Sequence, residues 1–421
     1  MVNCESDEKR EGLLKGFRAL DLTDQQGFAC GKILAALGID VIKIEQSGGD
    51  PARAIPPFYG DTTDAQKSLY WEAFNTDKRG ITLNIRNAEA QELFKRLVER
   101  ADFVLESFKP GTMESLGIGY DILSGLNQRI ILVSITPFGQ KGPYSGFKAS
   151  DLVISAMGGI MDNTGDSDRA PLKESLEACY YHGNVAAAVG AVIAHYFRET
   201  TGQGQQVDVS LHEVAASRNA INFIQWEFDR RLTKRSGAST QYGGMKVRTV
   251  WPCRDGYVSW MIIAGIMGEA SNLALSRWMD DDGLPNPLHE VTDWKAVDLP
   301  TLGRETIDRF ESAIGAFFLK HTKKELREEG LRRRINAAVL DGPDDILDNI
   351  QLQARRYFTD VEYPEWGRTL RYPGYFFLCS ETENLIRRSA PHVGEHNHEI
   401  YVEEMGLSAA EVTALVASGT I

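Results

Sequence analysis

The chain has 421 residues, 43% hydrophobic and 25% charged, ordinary proportions for a globular protein with room for two domains. Its net charge of −13 argues against nucleic acid or an anionic membrane as partner, and leaves room for a local basic groove. No apolar run reaches the ~18 residues of a membrane span. The start MVNCESDEKREG lacks the apolar region of a signal peptide. Cys4, Cys30, Cys179, Cys253 and Cys379 are scattered without metal spacing, so a cytoplasmic protein with reduced thiols is expected.

In chain order, residues 1–12 read as a disordered lead-in. Phe17–Leu22 reads as a strand, Ala29–Leu37 as a helix and Val41–Ile44 as a second strand. Strand, helix and strand within this span make a βαβ unit with parallel strands. The junction, TDQQG, is not the G-x-G-x-x-G fingerprint, which removes the main support for a nicotinamide cofactor. Residues 47–68 are rich in Gly, Pro and Asp and read as a loop. Strands are predicted at Gly80–Ile85, Ala101–Glu106 and Ile130–Ile135, with an amphipathic helix at Ala88–Arg100 whose Ala88, Leu93, Leu97 and Val98 point inward. The alternation predicts an α/β fold with an open, mostly parallel sheet over roughly the first half of the chain.

The most informative stretch is 171–213. Its run His182–Phe197 is rich in Ala, Gly and Val, which lets a helix backbone approach a neighbour closely. TTGQGQ at 200–205 reads as a helix end and turn, and Gln206–Leu211 as a short strand. Beyond it, residues 214–240 read as helix followed by a polar, basic stretch. Arg248–Trp251 and Gly256–Ile262 read as a hairpin, with Trp251 and Trp260 in a small core. Residues 267–345 are mostly helical, and KKELREEGLRRR (323–334) is read as a solvated helix face. Strand and loop follow at 350–376, and a short helix at Ala409–Ser418.

TGQGQQVDVSL resembles the signature of the class III, formyl-CoA-type (CaiB/BaiF) CoA-transferases. The blocks 17–53, 75–84, 101–117, 134–153 and 391–400 match in order. The resemblance implies a large Rossmann-like domain over 1–215, a smaller α+β domain with linkers over 216–345, and a segment over 346–421 that returns to the large domain. It also implies two ring-like chains interlocked as a dimer. Coenzyme A or an acyl-CoA would be substrate, with no metal. In the family an Asp before the Ala/Gly-rich helix attacks the thioester, forms a mixed anhydride and then carries CoA as an aspartyl thioester. Counting from Pro171 and from Gly190 places that position at Tyr180. Three readings follow: a silent subunit paired with an Asp-bearing paralogue, a nucleophile moved to Glu177 or Cys179 (Glu174 lies further upstream), or a different role such as CoA binding, a lyase or an isomerase. The racemase branch carries a His where Ser150 stands, so two-base proton transfer is not expected.

Carried over block by block, the CoA contacts are Gln26 and Gly27; Gln46; Leu83, Asn84 and Arg86; Ser107, Phe108 and Lys109; Ser115; and Lys148, Ala149, Ser150 and Asp151. Gln46 and Ser115 stand where the family often has a basic residue, which predicts weak phosphate pairing, with Arg53, Lys78, Arg79, Arg86 and Lys109 as substitutes. HVGEHNH at 392–398 matches a structural family tail and is not expected to bind metal. YGGM (242–245) sits near the family's active-site lid but is shorter. The expected function is a subunit, in a heterodimer or heterotetramer, that helps move CoA from succinyl-CoA to an organic acid such as benzylsuccinate.

Overall fold

The computed structural model describes residues 12–242, 244–382 and 386–421. The expected lead-in, apart from Gly12, lies outside these residues. The chain divides into two compact units, one formed by residues up to Ile160, Lys173–Ile224 and Gln351–Ile421, the other by Met161–Leu172 and Gln225–Ile350.

The first unit is built on a six-stranded, wholly parallel sheet, β1 (Arg18–Asp21), β2 (Asp40–Glu45), β3 (Arg79–Thr82), β4 (Phe103–Glu106), β5 (Ile131–Thr136) and β6 (Gln206–Ser210), in the order β3-β2-β1-β4-β5-β6. This is the doubly wound order whose direction reverses between β1 and β4. Successive strand residues serve opposite faces: Ala19, Val41 and Phe103 enter one apolar core, and Leu20, Ile42 and Val104 the other. Burial on both faces is why these strands read as near-continuous apolar runs.

The helix predicted around His182–Phe197 extends over Ala178–Thr201 and ends at Gly202, which is left-handed (φ 75°). Its small residues have the expected use. A Cβ on Gly183 would lie 2.1 Å from Leu211 Cδ2, and one on Gly190 2.9 Å from Val207 Cγ1. The helix at Ala88–Val98 differs in detail from expectation. Ala88 is exposed because Asn87 caps the helix there, accepting from Glu89 N at 2.9 Å, and Ala90 and Phe94 face inward with Leu93, Leu97 and Val98. The strand expected over Gly80–Ile85 stops at Thr82, since Asn84 N donates instead to Thr420 O (2.8 Å).

The turn after β1 is held by buried charge. Lys78 Nζ donates to Asp21 Oδ2 (2.7 Å), Phe28 O and Asn75 Oδ1 (both 2.9 Å), and both charged side chains are fully buried. Thr23 donates to Asp21 Oδ1 through N (2.9 Å) and Oγ1 (2.6 Å). Burial alone would raise the Asp21 pKa, but Lys78 and Lys43 reverse this and hold it below the usual carboxylate range.

The tail closes the exposed edge of β3. His396 N donates to Gly80 O (2.9 Å), and Gly80 N donates to His396 Nδ1 (3.1 Å). Burial holds the His396 pKa down, so a neutral ring is available to accept. Thr82 N donates to Asn397 Oδ1 (2.9 Å), and Tyr401 OH to Thr82 O (2.7 Å). An unpaired edge is thereby covered by side chains and main chain. No group of three metal-competent side chains occurs among the described residues, and no described helix is long and apolar enough to cross a membrane.

The second unit has its own core around Trp251, Trp260, Trp278 and Trp294. Val250–Cys253 and Gly256–Ser259 pair antiparallel, joined by Ala338–Val339. Ser239–Tyr242 and Met245–Arg248 form a second hairpin at the segment near the family's lid; Gly243 lies outside the described residues. The basic run forms helix Lys323–Arg333, which buries only Leu326 and Gly330.

Removing one partner of a buried ion pair strands the other charge. Lys78→Met is expected to lower stability by about 3–5 kcal/mol in urea unfolding, and adding Asp21→Asn to recover part of that loss.

Candidate active site

The carboxyl ends of β1 and β4 frame the crevice where ligands bind in doubly wound folds. Two loops meet there. Asp24 N donates to Ser107 Oγ (2.8 Å), Ser107 Oγ donates to Asp24 Oδ1 (2.9 Å), and Gln26 N donates to Asp24 Oδ1 (2.9 Å). Asn184 ties this loop pair to the start of the long helix. Its Nδ2 donates to Gln26 O (2.6 Å) and Tyr180 O (2.7 Å), and its Oδ1 accepts from Cys30 N (2.8 Å). Of the predicted residues, Gln26, Gly27, Ser107, Asp151 and Tyr180 are thus brought into one connected cluster.

Tyr180 is buried in the first turn of the long helix. Asp151 Oδ1 accepts from Cys179 N (2.9 Å) and Tyr180 N (3.1 Å), while Lys173 Nζ pairs with its Oδ2 (3.2 Å). The positive end of the helix is therefore already engaged by a carboxylate. Burial, then the charges of Asp24, Glu177 and Asp151, push the Tyr180 phenol well above its ordinary value. It is protonated at neutral pH and is no phenolate nucleophile. Cys179 is buried too, and burial followed by Asp151 pushes its thiol up to about 11, which disfavours the reactive thiolate. Glu177 Oε2 accepts from Tyr70 OH (2.8 Å). Glu174 is paired with Arg218 at 2.8 Å.

The remaining predicted contacts divide. Arg86, Lys109, Lys148, Ser150, Gln46 and Ser115 are exposed, and Phe108 and Ala149 are half-buried. Ser115 Oγ donates to Thr112 O (2.8 Å). Leu83 is packed in the core with Ile421, and Asn84 is tied to the tail. Gly27 serves the turn itself, since a Cβ there would meet Thr23 Cγ2 at 2.5 Å.

Three of the proposed phosphate substitutes require correction. Arg53 is buried and forked onto Glu45 (2.7 Å from both Nε and Nη2), Lys78 is on Asp21, and Arg79 is on Asp40, Glu399 and Glu404. Their charge is already neutralised, which leaves Arg86 and Lys109.

Several site residues carried no family signal. Asn184 was findable as the lone amide in a stretch of small residues, one helical turn after Tyr180. Glu106 closes β4; burial pushes its carboxyl up to about 7, although Ser134 and Phe108 N (2.7 Å) donate to it. Buried Gln26 Oε1, Thr136 Oγ1 and Gln140 Nε2 have no hydrogen-bond partner. These polar atoms at the ends of β1 and β5 suit a ligand with amide or carboxylate groups, such as an acyl-CoA.

The family model for CoA-transferase family III matches residues 14–397. The chain belongs to CoA-transferase family III. It is 32% identical to the succinyl-CoA:(R)-benzylsuccinate CoA-transferase subunit BbsE of Thauera aromatica, over 96% of this chain and 97% of that one. It is 31% identical to the succinyl-CoA:mesaconate CoA-transferase of Haloarcula hispanica, over 94% and 97%. A crystal structure of a CaiB/BaiF family protein from Brucella suis superposes with a TM-score of 0.80 at 25% identity, covering 94% of this chain and all of that one. The doubly wound α/β architecture is that of this family.

Glu106 allows a pH test. Its folded pKa of about 7 lies above the ordinary 4.5. The stability it contributes is full below about 4.5 and is lost as pH rises through about 7. Glu106→Gln is expected to match the native chain near pH 4.5 and exceed it by roughly 1–3 kcal/mol at pH 8, read from urea unfolding at each pH.

Proposed function

We propose that this family III CoA-transferase chain is the Asp-lacking subunit of a heteromer. CoA would move from succinyl-CoA to an organic acid, benzylsuccinate being the example favoured by the BbsE relative. An Asp-bearing paralogue supplies the nucleophile, and this chain contributes the fold and the crevice. The observation that carries the reading is Tyr180: a buried, protonated phenol at the position to which the resemblance assigns the family's Asp, with the helix end beside it occupied by Asp151. The relative's name, which calls BbsE a subunit, supports the pairing. So do apolar surfaces left uncovered in the single chain. Val189, Ile193 and Tyr196 of the long helix are exposed, and helix Ala220–Asp229 buries none of its side chains despite Ile221, Phe223, Ile224, Trp226 and Phe228. A cytoplasmic setting fits such chemistry.

A second reading keeps catalysis in this chain. It rests on Glu177, whose carboxylate is held by Tyr70 beside Tyr180.

One experiment separates the two. The purified chain is incubated with succinyl-CoA and labelled succinate, alone and co-purified with an Asp-bearing paralogue, then treated with hydroxylamine for intact mass. The expected result is no exchange and no adduct alone, exchange in the complex, and turnover within about threefold after Tyr180→Phe in the complex. Normal turnover by the chain alone overturns the proposal, and an adduct on Glu177 would establish the second reading.

A further inference from the structure

Opposite the crevice, at the amino ends of the strands, lies a cavity of about 500 Å³, within the usual size of small-ligand pockets. It is cut into the first unit where β1 and β2 begin and where the chain approaches β3 and β4. Lys15, Arg18, Arg100, Arg387 and Arg388 line it. Five cations around one cavity stand out in a chain of net charge −13. Phe17, Ala35 and Ile39 are the apolar part of its lining.

The two acids of the lining are already engaged. Asp40 takes Arg18 Nε and Arg79 Nε, both at 2.8 Å. Asp77 Oδ1 accepts from the main-chain nitrogens of Arg387 (2.6 Å) and Arg388 (3.0 Å), and Tyr375 OH donates to its Oδ2 (3.4 Å). Asp77 thereby fixes the backbone from which both arginines project. The Arg387 guanidinium makes no hydrogen bond or ion pair among the described residues, and Arg388 reaches only His396 Nε2 at 3.5 Å. Arg100 donates from Nη1 to Glu404 O (3.1 Å) and leaves its other nitrogens for a ligand. A smaller adjoining cavity shares Arg18 and Arg100 and adds Arg96.

The geometry points to a second ligand site, a pocket for a small, multiply charged oxyanion, phosphoryl or polycarboxylate, gripped by Arg100, Arg387 and Arg388. It lies at the far edge of the sheet from the CoA crevice and does not depend on the reading of Tyr180. Occupancy would link the amino ends of β1 and β4 to the segment that leads into the tail.

The test is titration calorimetry of the full-length chain with pyrophosphate and with citrate, at ionic strength matched with sodium chloride. Saturable one-to-one binding of either anion is expected, and whichever binds identifies the phosphoryl or polycarboxylate source. Arg387→Ala/Arg388→Ala should weaken it about tenfold or more, as should Arg100→Gln independently, with thermal midpoints confirming that each variant is folded. Arg129→Ala, an exposed arginine paired with Glu199 outside both sites, should leave it unchanged. Failure of both anions to bind overturns the proposal, and so does binding lost in Arg86→Ala/Lys109→Ala but retained without Arg387 and Arg388.

Discussion

The turn after β1, on which the crevice is built, depends on the ion pair between Asp21 and Lys78. It sits where a dinucleotide-binding fold would place its glycine-rich turn. Such folds leave that turn bare for a pyrophosphate, whereas here a carboxylate from the end of β1 organises it from below. Asp21 holds Thr23, Lys78 holds Phe28 O, and Gly31 leaves the space, since a Cβ there would lie 2.4 Å from Asp21 Oδ2. The position of Asp24 and Gln26, and through Asn184 that of Tyr180, follows from this wiring. A charge pair this deep is weak evidence of net stability; what it provides is one defined path for the turn.

The same logic explains why a tyrosine is tolerated at the start of the long helix. A carboxylate at that position would face Asp151, Asp24 and Glu177 at close quarters. A neutral phenol adds no charge to that set, and burial keeps it neutral. Tyr180 therefore sits among acidic side chains as a neutral group, held at the start of the helix by packing and not by charge.

Much of this was legible in the residues themselves. The parallel strands declared themselves as short apolar runs, and the long helix as a run of small residues ended by Gly202. The buried cations were not. Arg53, Lys78 and Arg79 look like surface charge because each lies in a polar stretch, and their partners are 8, 57 and up to 325 residues away in the chain. Local pattern carries no record of such distant pairing. Nor does local pattern show that the last residues of the chain pack beside Leu83 and Asn84, whose family position suggests ligand contact. Asn184 and Gln140 were missed because one polar residue in a helix or loop has many ordinary explanations.

The closure of β3 by His396, Asn397 and Tyr401 has a consequence for biosynthesis. The strand and its cover are separated by 315 to 319 residues. While the ribosome is still making the second unit, β3 is complete but its outer edge has no cover. Throughout that interval the nascent sheet offers free main-chain donors and acceptors to any extended segment nearby. The order of synthesis therefore makes the arrival of His396, Asn397 and Tyr401 the step that ends its exposure to mispairing.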